Sequence, residues 1–307
     1  MERRIIVIAG PSCSGKTKLG IKLAKSLGGE IISADSRQIY KYLDIGTAKP
    51  TKSELDKIKH HFISEIEPDA NYNVSKFEKD ANLRIEEIFN NNKIPIIVGG
   101  SGLYIKALTD GIVETPSKDE KLREKLVLEK EKFGNEFIYD KLKKVDPESA
   151  AKMHPSYWKR VIRALEVYYL TGKPISQFHK EQIDAHQYKF EEYVLNWPRE
   201  ILYKNIEIRV DKMIESGFVN EVKMILNKGF SKNLNSLNTV GYKEIISYLE
   251  NEISLERAIE LIKRNTRRFA KRQLTWFRKN KNNHWVDIHS KKDLNIFMNK
   301  LLQESAK

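Results

Sequence analysis

The chain has 307 residues, enough for one large α/β domain carrying an insertion, or for two domains, with a substantial buried core. Its 55 lysines and arginines outnumber 42 aspartates and glutamates to leave a formal net charge of +13, which points to a polyanionic partner; an ordinary lysine-rich surface would give the same total, so the distribution of charge decides. Cys13 is the only cysteine, which excludes an internal disulfide and a cysteine metal cluster and fits a reducing interior. Apolar runs fall short of the ~18 residues of a membrane span, and Met1-Glu2-Arg3-Arg4 leads into an apolar stretch unlike a secretory leader, so a cytoplasmic location is expected.

The first element is the apolar run Ile5-Ile6-Val7-Ile8-Ala9, followed directly by Gly10-Pro11-Ser12-Cys13-Ser14-Gly15-Lys16-Thr17 and by Leu19, Leu23 and Leu27 at four-residue spacing. This order reads as strand, phosphate loop, helix. Glycines let backbone amides wrap a phosphate, the helix adds its positive N-terminal end, Lys16 reaches the outer phosphates, and the Thr17 hydroxyl is placed for Mg²⁺. The pattern specifies a diphosphate without specifying ATP.

A second strand is expected at Glu30-Ile31-Ile32-Ser33-Ala34-Asp35, followed by Ser36-Arg37-Gln38-Ile39-Tyr40, and a third at Ile94-Pro95-Ile96-Ile97-Val98, closed by Gly99-Gly100-Ser101-Gly102. Strands separated by helices predict a parallel, doubly wound sheet with its ligand at the carboxyl ends of the strands, where Lys16, Asp35 and Ser101 all fall.

Between about Pro116 and Tyr188 the sequence turns charged and helical. A helix is predicted from Lys118 to Lys132, another that Asp146 caps and Pro147 starts, and a third from about Tyr157 to Thr171. On the third, Val161, Leu165 and Tyr168 face one way while Lys159, Arg163 and Glu166 face another. The chain returns to the sheet through Tyr193-Val194-Leu195. A helix from about Glu200 to Ser216 then buries Leu202, Ile206, Val210 and Met213, with Arg209 beside that stripe.

The block Arg257 to Lys281 holds Arg257, Lys263, Arg264, Arg267, Arg268, Lys271, Arg272, Arg278, Lys279 and Lys281 against Glu260 alone, with Phe269, Trp276 and Phe277 interleaved. Arginines at three- and four-residue spacing form a ridge suited to a phosphate backbone; the aromatics serve either as anchors in the core or as stacking platforms. The expected fold is therefore an α/β P-loop parallel-sheet core with an inserted all-helical domain and a basic helical C-terminal part. The boundaries are 1–115 for the first part of the core, 116–190 for the insertion and 191–307 for the rest.

From Ile5 to about Lys279 the chain resembles the tRNA dimethylallyltransferase family. The resemblance rests on Asp35-Ser36-Arg37-Gln38-Ile39-Tyr40 running into Asp44-Ile45-Gly46-Thr47-Ala48-Lys49-Pro50, on Arg160-Val161-Ile162-Arg163-Ala164-Leu165-Glu166-Val167, on Gly241-Tyr242-Lys243-Glu244, and on Lys271-Arg272-Gln273-Leu274-Thr275-Trp276-Phe277-Arg278. It implies that Gly10, Pro11, Ser12, Cys13, Ser14, Gly15, Lys16 and Thr17 hold the diphosphate of dimethylallyl diphosphate, with Mg²⁺ on Thr17. The group transferred would go to N6 of adenosine 37, next to the anticodon. Asp35 would orient that amine and accept its proton, Lys16 and Arg209 would neutralise the leaving diphosphate, and Ser101 would lie near the entering base. Asp35, Ser36, Arg37, Gln38, Ser101, Arg123, Lys159, Arg160, Val161, Ile162, Arg163 and Ala164 match segments that contact tRNA, joined by Arg267, Arg268, Lys271 and Arg272 of the basic ridge. The base would have to be flipped out of the anticodon loop. A monomer is expected.

Cys13, Asn205 and Ser156-Tyr157-Trp158 depart from the family's usual residues. Asn205 removes one basic contribution near the donor. Two other readings are a prenyltransferase acting on free adenine nucleotides and a P-loop kinase or NTP-dependent RNA-binding switch. The first has no use for the insertion and the basic ridge; the second lacks a recognisable adenine pocket and phosphoryl-transfer machinery.

Overall fold

Six strands, β1 (Arg4–Ala9), β2 (Glu30–Ala34), β3 (His60–His61), β4 (Pro95–Gly99), β5 (Lys189–Asn196) and β6 (His284–Asp287), form one parallel sheet in the order β3-β2-β4-β1-β5-β6. The computed structural model describes residues 3–113, 115–181 and 188–305. β1, β2 and β4 are covered by helices on both faces, which is why they read as continuous β-branched runs rather than alternating ones; Ile5, Val7, Ile8, Ile32, Ile96 and Ile97 are all fully buried. Pro95 takes the first position of β4, where a missing N–H is tolerated.

β1 is the central strand. It pairs with β4 on one side (Val7 opposite Ile97) and with β5 on the other (Val7 opposite Glu192); the connection from β1 to β2 runs to one side and that from β4 to β5 to the other. The crevice this opens lies at its carboxyl end, where ligands bind in open α/β sheets. The first helix, Lys16–Leu27, starts from that end, buries Leu19, Leu23 and Ala24 and stops at the left-handed Gly28.

β3 and β6 were not anticipated. β3 is two residues long, too short for any periodicity, and β6 is an edge strand whose residues are mostly exposed. β5 is also longer than the Tyr193–Leu195 core that the sequence predicts. At the start of β2, Glu30 is buried and receives Lys93 Nζ at 2.7 Å and His61 Nε2 at 2.7 Å. Burial alone would raise the Glu30 carboxyl; the bonds from Lys93 and His61, with Lys59 nearby, outweigh it and hold the pKa down to about 2. His61 therefore has a structural partner.

The chain divides into two compact units, Met1–Asp110 with His186–Lys307, and Gly111–Ala185. In the second, the helix Glu120–Val145 continues past the expected Lys132 and is interrupted at Gly134, whose φ of 87° and ψ of 173° are non-helical. Leu126, Ile138 and Leu142 of this helix pack with Val161, Ile162 and Leu165 of the helix Trp158–Thr171. Asp146 caps the helix Pro147–Ala151 by accepting the Ser149 amide at 2.9 Å, as its position before Pro147 predicts.

Candidate active site

The glycine-rich loop leaves β1 and enters the first helix through Gly15, whose φ of 87° suits a residue without a Cβ. It is held from two directions. Trp197 Nε1 donates to the Ser14 carbonyl at 2.9 Å, and Gln273 Oε1 accepts from the Ser12 amide at 2.9 Å. Lys16 is half-buried, and its ammonium folds back to donate to the Pro11 carbonyl at 3.1 Å.

A cleft of about 640 Å³ opens over this loop, lined by Lys16, Thr17, Asp35, Asn205 and Arg209 among others. A second, of about 350 Å³, is lined by Ser36, Arg37, Ser101, Phe269 and Arg272. The two adjoin: Ser12, Asp35, Thr47, Ala48 and Arg209 belong to both walls. Among the described residues no carboxylate pairs with Lys16 or Arg209 at ion-pair distance, although the two cations sense one another. Burial first, and then Arg209, push the Lys16 ammonium down to about 8, with Asp35 only partly restoring it. Burial pushes the Cys13 thiol up, against the pull of Arg209 and Lys16. Two cations without an acidic partner among the described residues, beside the N-terminus of the first helix, make this wall electrostatically complementary to an anion.

Asp35 sits half-buried just past β2. Its Oδ1 accepts from the Arg37 amide at 2.9 Å and more weakly from Gln38 at 3.4 Å, which fixes the carboxylate in an Asx turn. Its other oxygen has no hydrogen-bond partner among the described residues. Ser101 Oγ accepts from the Ser36 amide at 3.1 Å and so joins the ends of β2 and β4. The structure thus brings together Ser12, Lys16, Thr17, Asp35, Ser101 and Arg209, which lie far apart in sequence.

Other predicted residues are placed differently. Gln38 turns inward: its Nε2 donates to the carbonyls of Thr47 at 3.1 Å and Ala48 at 3.3 Å. Val161, Ile162 and Ala164 are core residues of the helical unit, so exposed Lys159 and Arg160 are what that segment presents to a partner. Arg123 and Arg163 both bind Glu166, at 2.7 and 2.6 Å. Glu166 is fully buried rather than on the polar face, since two guanidiniums and the Asp119 amide satisfy it. On the helix Leu255–Phe277, Arg267 pairs with Glu207 at 2.8 Å and Lys263 with Asp211 at 2.6 Å, whereas Arg268, Lys271 and Arg272 stay exposed. Phe269 is 38% exposed, with the Arg272 guanidinium 5.6 Å from its ring centre.

Four features escaped sequence reasoning: Trp197, Gln273, Glu221 and the C-terminal helix Lys291–Ser305, whose Lys291, Leu294 and Asn295 line the first cleft. Glu221 is the most consequential for shape. Its carboxylate accepts from the amides of Asp44 at 3.0 Å, Ile45 at 2.6 Å and Gly46 at 3.1 Å, and from the Tyr242 hydroxyl at 2.7 Å. The Asp44–Pro50 loop, part of both cleft walls, is therefore held at its start by one buried carboxylate, and further on by Gln38. Glu221→Ala, which strands these donors, is expected to lower unfolding free energy by on the order of 3 kcal/mol in a denaturant titration. A loss below about 0.5 kcal/mol would mean that the loop holds itself.

The architecture is a parallel α/β sheet in which β1 delivers a glycine-rich loop to a two-chambered cleft. The chain belongs to the IPP transferase family, whose model matches residues 38–280. It is 48% identical over 288 residues to a tRNA dimethylallyltransferase of Pelotomaculum thermopropionicum, covering 93% of this chain and 91% of that one. It is 47% identical over 308 residues to the protein of the same name from Carboxydothermus hydrogenoformans, covering 100% and 98%. Among solved structures, a eukaryotic dimethylallyltransferase acting on tRNA aligns with a TM-score of 0.82 at 33% identity, over 94% of this chain and 74% of its own. The full-length tRNA isopentenylpyrophosphate transferase of Bacillus halodurans aligns with a TM-score of 0.72 at 38% identity, over 99% and 98%.

Proposed function

We propose that this chain transfers the dimethylallyl group of dimethylallyl diphosphate to N6 of adenosine 37 in tRNA and releases diphosphate. The observation that carries the reading is the junction of the two clefts at Asp35 and Arg209, with cations on one side and the exposed arginines and Phe269 on the other. The donor diphosphate lies on the loop amides, Lys16 and Arg209. The adenine, flipped from its loop, occupies the second cleft.

At the junction the N6 nitrogen forms a bond to the allylic carbon as the carbon–oxygen bond breaks. The electron pair leaves with the diphosphate, where Lys16 and Arg209 meet the developing charge. The N6 proton passes to the free oxygen of Asp35, whose other oxygen is fixed by the Asx turn. Thr17 lines the donor cleft with a hydroxyl that has no hydrogen-bond partner among the described residues, and this oxygen would hold a magnesium ion. When bound, that ion would add charge neutralisation at the leaving group. Arg268, Lys271 and Arg272 of the C-terminal part, and Lys159 and Arg160 of the helical unit, are the surface cations offered to RNA phosphates. Among the described residues no helix is long and apolar enough to cross a membrane.

The test is incubation with labelled dimethylallyl diphosphate and either tRNA or AMP, followed by mass spectrometry of the nucleosides. Prenylated adenosine is expected from tRNA alone. Prenylation of AMP at a matching rate would favour the free-nucleotide reading, and ATP hydrolysis without prenylated adenosine would favour the switch.

A further inference from the structure

Gln273 lines the second chamber and bonds Ser12, a residue of the loop that lines both. It is 7% exposed, on the arginine-rich helix Leu255–Phe277, with Arg272 beside it and Phe269 one turn earlier. Its Oε1 accepts the Ser12 amide of the glycine-rich loop at 2.9 Å, and its Nε2 donates to the Gly100 carbonyl at 2.8 Å, next to Ser101. The approach is close: a Cβ at residue 100 would stand 2.3 Å from Gln273 Nε2, so the amide would have to move to admit one. One amide therefore ties the exposed cationic helix to the donor loop and to the base-side turn.

We propose that Gln273 is a positioning residue that couples RNA binding on the arginine-rich helix to diphosphate binding on the loop; the proposal rests on the reading of that loop as the diphosphate site. Hydrogen bonds weaken steeply beyond about 3.2 Å, so a small shift of the helix under RNA phosphates alters the seat of the Ser12 amide and the Gly100 carbonyl together. Both atoms of the amide are used, so the linkage has two arms that fail separately. By linkage the effect is reciprocal: RNA that favours the seated helix tightens diphosphate, and diphosphate tightens RNA by the same factor.

The experiment titrates inorganic diphosphate with magnesium into the full chain, with and without an anticodon stem-loop RNA. In the parent protein the RNA is expected to tighten diphosphate about 5- to 50-fold, within the usual range of couplings. Gln273→Met keeps the volume and removes both arms. Whatever it does to the affinity for either ligand alone, it is expected to reduce the coupling below about twofold, because both hydrogen bonds that carry the linkage are gone. Gln273→Glu keeps the Ser12 arm and opposes an oxygen to the Gly100 carbonyl, so it too is expected to lose the coupling, and it serves should Gln273→Met fail to fold. Undiminished coupling in either folded variant, or no coupling in the parent, overturns the proposal. Lys16→Ala separates the two ideas: diphosphate binding indifferent to that change would remove the loop as the diphosphate site, and the coupling with it.

Discussion

Lys16→Ala is expected to abolish prenyl transfer, lowering the single-turnover rate at least about 10³-fold, while tRNA affinity stays within a few-fold of the parent. The rate estimate follows from the usual cost of removing a preorganised charge aimed at the atoms where charge develops. Lys16 and Arg209 line the cleft without an acidic partner at ion-pair distance among the described residues, so on the proposed reading the leaving diphosphate is their counter-ion. The exposed cations Arg268, Lys271 and Arg272, proposed to meet RNA, lie on another element. A pH profile gives a second handle. Burial, with Arg209 adding to it, holds the Lys16 pKa down to about 8. A bound anion favours the protonated form, so donor affinity falls as pH rises through about 8, by up to about tenfold per unit, and is insensitive to this group well below it. Lys16→Arg removes that limb, because a guanidinium stays charged throughout. Turnover by Lys16→Ala within tenfold of the parent would show that the loop does not hold the leaving group.

Asp35→Asn is the second informative change. Asparagine keeps an acceptor for the Arg37 and Gln38 amides, so the turn at the end of β2 survives. What it loses is the basic oxygen that faces the junction. Single-turnover transfer is expected to fall by about 10²–10⁴, the range for a lost general base, with donor affinity nearly unchanged. Near-parental transfer would leave Asp35 as a turn former and move proton acceptance elsewhere.

Much of the core was legible because its signals are local. β1 and the glycine-rich loop announce themselves within a dozen residues, and Asp35 and Ser101 follow from ending predicted strands. The misses share another cause. Glu166, Glu221 and Gln273 are polar residues on helices that expose similar side chains one turn away, and only distant partners explain their burial. Glu166 is satisfied by Arg123, from another helix, and Gln273 by Ser12, on the opposite side of the sequence. Glu166 has Arg163 one turn away, but no window of sequence contains all the partners of any of the three, so periodicity assigns such residues to the surface. The same argument applies to the basic ridge, where charge spacing alone cannot separate Arg267, tied to Glu207, from Arg268, which is exposed.

The pairing of β1 with β5 also sets an order of assembly on the ribosome. β1, β2, β3 and β4 are all synthesised before the helical insertion, and they can pair among themselves as soon as they emerge. The other edge of β1, lined by buried isoleucines and valine, stays open until the insertion has been made and Lys189–Asn196 follows. At ordinary rates of synthesis that interval lasts seconds, during which a nascent chain presents an apolar, hydrogen-bonding strand edge. Truncation anywhere within the insertion would make that exposure permanent. Such a fragment would have its phosphate loop but neither Trp197 nor Gln273 to hold it, and its fate would be aggregation or chaperone capture rather than partial activity.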